Sequence, residues 1–517
     1  MEMSMTKNAG QKLSLDRKAC YAAMQAHDVR FDGRFFCGVS STGIYCRPIC
    51  RVKLPKEENC TFFVSAAAAE AAGYRPCLRC RPELAPGFAP VDSVPRLARS
   101  AALYMEEDSL NPGKLSELAA MLEISDRHLR RVFIAEYGVP PVQYLQTHRL
   151  LLAKSLLADT RLSITDVAMA AGFGSIRRFN DLFKTHYHLT PNELRKKGRS
   201  IEENGDAVTL SLGYRPPYAW ERLISFLAAR AISGVESVLE GTYRRTVAIR
   251  KGETVHYGWI STANQPSRNA LSVTLSTTLL PVLSQVLSRV RFLFDLNCSP
   301  EKVYEKLAAL DEVLPGGYVP GIRVPGCFDP FEMAVRAVLG QQVTVKAAGT
   351  LAMRLVQLVG EKMDTPFKEL GYAFPGPEKI SGLPGLIENH LGPIGITRSK
   401  ARSIMALAKA LTAKSIMLSY SANPGEAMEK LGKLHGFGPW TVQYIAMRAL
   451  GWPDAFPNTD YGVRKALADR TPAEVLALSQ EWSPWRSYAT VLLWNSLAHE
   501  SKSKKRGIKS NDLHMHH

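Results

Sequence analysis

The feature that most restricts how this chain can fold is a repeat. Leu115–Phe133 and Ser163–Phe183 carry one pattern twice, about fifty residues apart. Ser125 answers Ser175, Phe133 answers Phe183, Tyr137 answers Tyr187 and Pro141 answers Pro191. Each copy reads as a short helix, a tight turn, and a serine able to accept from the free amides that open a second helix. Leu118, Leu122, Leu129, Val132 and Phe133, with Phe179, Leu182 and Phe183, recur at helical spacing and are expected in the core. A long helix over roughly 141–157 joins the copies. The outward residues are mostly basic: Arg127, His128, Arg130 and Arg131 in the first copy, Arg177, Arg178, Asn180 and Lys184 in the second. Each suits a phosphate contact or a solvated face as well as the reading of a base edge.

A chain of 517 residues exceeds one core and suggests about three domains. Its formal charge of +17 favours polyanionic partners. Nothing near the first residues resembles a signal peptide, and no apolar run reaches membrane-spanning length. Nine cysteines, four of them in tight pairs, suit a reducing compartment and a metal better than a disulfide framework. A cytoplasmic protein without membrane partners is the expectation.

The paired cysteines lie in Thr42-Gly-Ile-Tyr-Cys46-Arg-Pro-Ile-Cys50 and Arg75-Pro-Cys77-Leu-Arg-Cys80-Arg-Pro. Two close pairs, separated by a spacer with a helical run at Ala66–Ala72, suit one zinc ion held by four thiolates, Cys46, Cys50, Cys77 and Cys80. Spacing alone leaves open whether such a site is a closed staple or a reactive centre. Cys20, Cys37, Cys60, Cys298 and Cys327 read as small apolar residues, Cys37 being the one able to compete for the metal. Over residues 15–85 this segment resembles the N-terminal domain of the bacterial Ada-type adaptive-response proteins. The resemblance implies that Cys46 is a nucleophile taking a methyl group from a DNA phosphotriester. Coordination keeps a thiol deprotonated, and four thiolates leave excess negative charge. Methylation removes one of those charges, so repulsion of the DNA backbone should fall.

The repeat is similar to the AraC-type DNA-binding domain, whose paired helix-turn-helix units each place a second helix in the major groove. The resemblance makes Arg127, Arg130, Arg131, Arg177, Arg178, Asn180 and Lys184 the candidate DNA contacts. Arg81–Pro95 and Arg195–Asp206 read as linkers on either side.

Beyond residue 207 the chain changes character. A helix is expected from Pro216, with the prolines at its entry, followed by alternating runs such as Leu271-Ser-Val-Thr-Leu275 that suit strands with one buried face. From Asp329 the pattern reads as helical through Trp494. Inside it, Leu434-His-Gly-Phe-Gly-Pro-Trp-Thr places Gly436 and Gly438 between two helical patterns, where a turn without side chains and an open helix start suit phosphate oxygens. Asp460 follows in a polar loop. This stretch resembles the helix-hairpin-helix DNA glycosylases. Together with Tyr214-Arg-Pro-Pro-Tyr, Phe331-Glu-Met-Ala-Val-Arg-Ala-Val-Leu-Gly-Gln-Gln and Trp482-Ser-Pro-Trp-Arg-Ser-Tyr-Ala, about 290 residues are similar to 3-methyladenine DNA glycosylase II, the AlkA type. The resemblance makes Asp460 the catalytic carboxylate and Trp440, Tyr444 and Trp494 the aromatic residues around an extruded alkylated purine. Gln342 falls at the duplex-filling position, where the family uses an apolar wedge, and Asn495 replaces a family aromatic. Trp440 stands where bifunctional relatives carry a Schiff-base lysine, so a monofunctional enzyme is expected. Asp454 reads as a loop residue and Gly392–Lys400 as a surface turn.

The expected architecture is multi-domain and mostly α with α+β parts. It comprises a zinc domain at 1–90, a double helix-turn-helix at 91–198, an α+β subdomain at 207–290, a helix-hairpin-helix core at 291–500 and a disordered tail at 501–517, with its three terminal histidines solvated. The expected partners are alkylated and operator double-stranded DNA and RNA polymerase, with the chain a monomer. No Pro-Cys-His-Arg motif of the O6-alkylguanine methyltransferases occurs, so that activity is not expected. The rival expectation is a transcription regulator whose glycosylase domain is weakly active or binds DNA only.

Overall fold

The computed structural model describes residues 16–87, 96–108, 115–196, 205–315 and 317–497. Its contacts form two compact units, Met1–Arg199 and Ser200–His517.

In the first unit, strands β1 (Phe36–Val39), β2 (Ile44–Cys46), β3 (Cys60–Phe63) and β4 (Arg75–Pro76) form one sheet in the order β3-β1-β2-β4. β1 runs antiparallel to β2 and β3, and β2 parallel to β4. Gly38 on β1 is needed for close packing, because a Cβ there would come within 2.8 Å of both Phe63 and Tyr74 ring atoms. The helix Ala66–Ala71 is capped by Ser65 and covers the sheet.

The repeat folds as read. Ser125 and Ser175 accept from the amides of His128 and Arg178 and open the helices Asp126–Tyr137 and Ile176–Tyr187, here called the first and second reading helices. Each ends on a left-handed residue, Gly138 and His188. Leu118, Leu129, Phe133, Phe179 and Phe183 are buried, while Leu122, Val132 and Leu182 are half-buried. The joining helix spans Pro141–Asp159.

The expected linker at Arg81–Pro95 is corrected in its first part. Arg81 takes a left-handed conformation and opens a 3-10 turn at Pro82–Leu84. Its guanidinium grips Asp159 at 2.7 and 2.6 Å, and Lys154 meets Glu83 at 2.5 Å. A proline-rich composition reads as a linker, but its charges match those of the joining helix, and the matched pairs hold it down. Deeper in the same interface, buried Glu70 accepts from Tyr45 and from Thr147, both at 3.0 Å. Residues 88–95, most of the second linker and the tail lie outside the described residues.

In the second unit β5 (Ala207–Gly213), β6 (Glu236–Leu239), β7 (Thr242–Lys251), β8 (Thr254–Gln265) and β9 (Ala270–Ser276) form an antiparallel sheet ordered β5-β9-β8-β7-β6. Along β5 every second residue is buried, as alternation predicts. The expected helix from Pro216 begins later, at Trp220, and runs to Ala228; the prolines precede it. A buried network ties the sheet to the helix Pro330–Leu339: Arg245 meets Glu332 at 2.6 Å, and Arg336 meets Glu236 at 2.7 Å and Glu332 at 2.9 Å. Such charges remain buried only because each has an opposite partner. The helical reading after Asp329 holds except at β10 (Glu361–Lys362) and β11 (Tyr372–Ala373), whose two-residue strands are too short to show a period.

Candidate functional site

Cys46 ends β2 and Cys77 follows β4, so the parallel pairing of those strands brings the two cysteine pairs together. The four sulfur atoms lie within 4.8 Å of one another. The donor set fits a four-thiolate zinc site: four soft ligands converge in an apolar surround that includes Ile44 and Val52. Cys46 is 5% exposed and Cys80 is the most open of the four. Arg47 is the organiser that sequence reading left without a role. It is buried, its guanidinium pairs with Asp32 and donates to the Cys80 carbonyl at 3.0 Å, and its amide donates to Cys80 Sγ at 3.4 Å. Cys37 packs instead with Cys20 and Cys60 in a neighbouring apolar cluster and is not part of the four-sulfur group. Burial pushes its thiol well up, as befits an inert core residue.

On the first reading helix Arg127, Arg130 and Arg131 are exposed, and on the second Arg177, Arg178, Asn180 and Lys184 are exposed. Arg130 pairs with Asp126 at 3.1 Å and Arg131 contacts His128, so Arg127 is the freest cation of the first set.

The glycine turn joins the helix Pro424–Gly432 to the helix Pro439–Arg448. Gly436 has φ 80°, and a Cβ there would meet Ser403 Oγ at 2.1 Å. Gly438 starts the second helix, and no side chain caps it. Gln341 donates to the Gly436 carbonyl and to Thr441 Oγ1, each at 2.9 Å, tying the turn to the exposed Gln342 beside it. Gln342 sits in a left-handed conformation, φ 55°. Lys400, expected in a plain surface turn, donates to the carbonyls of Leu339 and Gln341, both at 2.9 Å, and so holds the Gln342 turn from behind.

Asp460 caps the helix Tyr461–Ala466, its Oδ1 accepting from the amides of Gly462 and Val463 at 2.8 and 3.2 Å. Capping does not exhaust it. Oδ1 also accepts from Trp494 Nε1 at 2.8 Å, and Oδ2 from Trp440 Nε1 at 2.9 Å. Tyr444 stacks on Trp440, with ring centroids 5.2 Å apart, and leans on Trp494 at 6.2 Å. The structure therefore gathers Asp460, Trp440, Tyr444 and Trp494 into one cluster. Phe226, which sequence reading missed, stacks on Trp494 at 5.8 Å. The signal for it was faint, since Phe226 lies on a helix, Trp220–Ala228, that otherwise reads as core. Asp454 is committed to Arg486 through two 2.7 Å contacts and stays out of the cluster.

A carboxylate fixed by four donors inside an aromatic enclosure, a glycine turn opening onto a bare helix start, and a four-thiol centre beside two basic reading helices define a class: a base-excision repair protein joined to a metal-bearing DNA reader. Family models agree segment by segment. Residues 19–83 match the metal binding domain of Ada, 118–197 a helix-turn-helix domain, 209–329 the AlkA N-terminal domain, and 335–473 the HhH-GPD superfamily base excision DNA repair protein. A probable bifunctional transcriptional activator/DNA repair enzyme AlkA of Mycobacterium tuberculosis is 38% identical over 495 residues, covering 94% of this chain and 97% of that one. The chain belongs to that family of bifunctional AlkA proteins. The DNA-3-methyladenine glycosylase 2 of Escherichia coli is 35% identical over 284 residues, 55% of this chain and 96% of that one. The bifunctional transcriptional activator/DNA repair enzyme Ada of Escherichia coli is 32% identical over 181 residues, 35% of this chain and 49% of that one. No helix among the described residues is long and apolar enough to cross a membrane.

Proposed function

We propose that this chain excises alkylated purines of the 3-methyladenine type from DNA, and that its first unit accepts methyl groups from DNA phosphotriesters and activates transcription in response. The observation that carries the excision reading is the placement of Asp460 against Trp440 and Trp494. Breaking an N-glycosidic bond leaves an oxocarbenium-like sugar, which a fixed carboxylate stabilises while it orients or deprotonates the attacking water. Oδ2 accepts from one indole only, so it retains a lone pair for that water. The extruded base stacks against Trp440, Tyr444 and Trp494, and the bare amides after Gly438, with Gly436 at the turn, hold the DNA backbone. Gln342, presented at an exposed turn, enters the gap left by the base. No lysine stands at the Trp440 position, so the product is an abasic site and the strand is not cut.

In the first unit Cys46, Cys50, Cys77 and Cys80 hold one zinc ion, which when bound keeps the thiols ionised. The Cys46 sulfur attacks the methyl carbon, the methyl–oxygen bond breaks, and the phosphodiester leaves with its negative charge. Arg127, Arg130, Arg131, Arg177, Arg178, Asn180 and Lys184 contact operator DNA, and RNA polymerase is the partner of the activated state. The chain acts as a monomer in the cytoplasm.

The presence of Cys46 in the four-thiol group together with two reading helices favours a regulator over a protein that uses its first unit only for recruitment. The test uses duplex DNA methylated with a radioactive methyl group. The parent chain should release labelled purine and become labelled itself. Asp460→Asn should lose only the first, and Cys46→Ser only the second. Labelled purine without labelled protein would leave the thiol cluster a structural staple. A promoter assay with Cys46→Ala should abolish induction by alkylation, and unchanged induction would remove the methyl-triggered regulator.

A further inference from the structure

Asp460 follows a loop, and a carboxylate at the end of a loop is only as well placed as the loop itself. From Ala449 to Thr459 the chain has neither helix nor strand. Such a segment ordinarily moves more than the elements it joins. Here each helix that donates an indole to the carboxylate also holds the loop backbone. Gln443 stands three residues after Trp440, and its Oε1 accepts from the Phe456 amide at 3.0 Å. Ser487 stands seven residues before Trp494 on the helix over 486–497, and it is 0% exposed. Its amide donates to the Pro453 carbonyl at 2.9 Å, and its hydroxyl lies between the carbonyl oxygens of Trp452 and Ala455, at 2.8 and 3.0 Å. Phe456 packs edge-on against buried Trp482, their ring centroids 6.0 Å apart.

Spacing makes these pairs act together. Residues three or seven apart fall on one face of a helix, so Gln443 with Trp440, and Ser487 with Trp494, reach toward the same loop and its carboxylate. Seven residues span about 10 Å of a stiff rod. That rod grips the chain at Ser487 and the carboxylate at Trp494, and the helix Pro439–Arg448 does the same through Gln443 and Trp440. The indoles set how the Asp460 carboxylate is turned. The two backbone anchors set where its main chain stands.

We propose that Gln443 and Ser487 are positioning residues for base excision, fixing the loop so that the Asp460 carboxylate faces the sugar as positive charge develops there. The proposal rests on the excision reading above. Both residues act through Asp460, without contact to the substrate. A charge fixed before the reaction stabilises the oxocarbenium-like sugar without reorganising. Displacement of such a group by about 1 Å costs on the order of a hundredfold in rate. Loss of either anchor frees the loop from one of its two helices.

The test uses the full chain and two readouts. The first is single-turnover release of methylated purine with the protein in saturating excess over the duplex. The second involves no chemistry: it compares affinity for duplexes carrying a tetrahydrofuran, a neutral abasic sugar, or a pyrrolidine, whose protonated nitrogen bears the charge that the sugar acquires. A carboxylate in its proper place favours the pyrrolidine. Gln443→Met keeps the length of the side chain and removes the acceptor, Gln443→Glu keeps the acceptor, and Ser487→Ala removes the hydroxyl. Gln443→Met and Ser487→Ala should each slow release at least roughly tenfold, about 1.4 kcal/mol, and cut the advantage of the pyrrolidine over the tetrahydrofuran to a similar extent. Both should bind the tetrahydrofuran duplex as the parent does, and Gln443→Glu should restore most of both losses. A merely structural role would weaken both duplexes alike. That result, release at the parent rate, or no rescue by Gln443→Glu overturns the proposal. Where Ser487→Ala fails to fold, the Met and Glu variants of half-buried Gln443 still decide. If the parent neither releases base nor prefers the pyrrolidine duplex, the excision reading has failed and this proposal falls with it.

Discussion

Asp460 accepts from two main-chain amides and two indoles, so its carboxylate has one orientation, and the neighbours that enforce it are part of its chemistry. Gly462 is the most informative of these. A Cβ there would come within 2.6 Å of Trp494 Cδ1 and 3.1 Å of Asp460 Oδ1. Alanine in place of a helical glycine ordinarily adds up to about 1 kcal/mol of stability. Gly462→Ala should therefore leave the melting temperature of the second unit little changed while excision falls at least roughly tenfold, about 1.4 kcal/mol of barrier. Excision at the parent rate would show that the Trp494 hydrogen bond is dispensable. At this scale the sequence pointed to Asp460, Trp440, Tyr444 and Trp494 as one group, but not to the contacts that join them. Asp460, Trp440 and Tyr444 were legible because they share one local motif. The bond from Trp494 and the stacking of Phe226 depend on chain segments brought together only by the fold, and nothing in the local pattern of either residue announces them. Arg47 was hidden for the same reason, since its partners Asp32 and Cys80 flank it at a distance in the chain.

Elements were legible where they repeat and illegible where they dock. The two reading helices, their serine caps and the joining helix follow from periodicity and capping chemistry, whereas the contact between the thiol-bearing sheet and the joining helix is made by single charged and polar side chains that carry no period. Glu70 is the centre of that contact, accepting from Tyr45 beside the thiol cluster and from Thr147 on the joining helix, with His186 of the second reading helix 3.7 Å away. Burial pushes the Glu70 carboxyl up from 4.5 to about 8, outweighing the hydroxyl donors that favour its ionised form. A carboxyl whose folded value lies above its unfolded one contributes stability that is complete below the unfolded value and is lost as pH rises through the folded value. The melting temperature of the first unit should accordingly fall, through this group, between pH 4.5 and about 8. His186, held below its usual value by burial, acts in the opposite sense as pH rises. The diagnostic quantity is thus the difference between the parent and Glu70→Gln, which should favour the variant increasingly over that window. A constant difference across the window would mean that Glu70 stays in one protonation state.

At the scale of the whole molecule, the two chemistries sit in separately packed units. Cys46, Cys50, Cys77 and Cys80 belong to the unit ending at Arg199, and Asp460 with its aromatic neighbours belongs to the unit that begins at Ser200. Length suggested about three domains and not two units, while the change of pattern after residue 207 lies close to the division at Arg199. Its consequence is thermodynamic. A structural zinc site supplies roughly 10–16 kcal/mol of apparent binding free energy, as much as the total stability of an ordinary domain, about 5–15 kcal/mol. The sheet that bears the thiols is small and its apolar clusters are few. Removal of the metal should therefore unfold residues 16–87 and release Glu83 and Asp159 from the partners that hold the joining helix. The second unit has its own extensive core, running from Ile232 to Ala449, and contains none of the four thiols. Calorimetry of the full chain should show two transitions, of which a zinc chelator shifts only the one belonging to the first unit. Methyl uptake by protein should vanish over the same chelator range, while release of methylated purine from the same DNA persists at the parent rate. Loss of both activities together, at the concentration that removes the first transition, would mean that excision depends on the folded metal-bearing unit and that the two compact units do not work as separate machines.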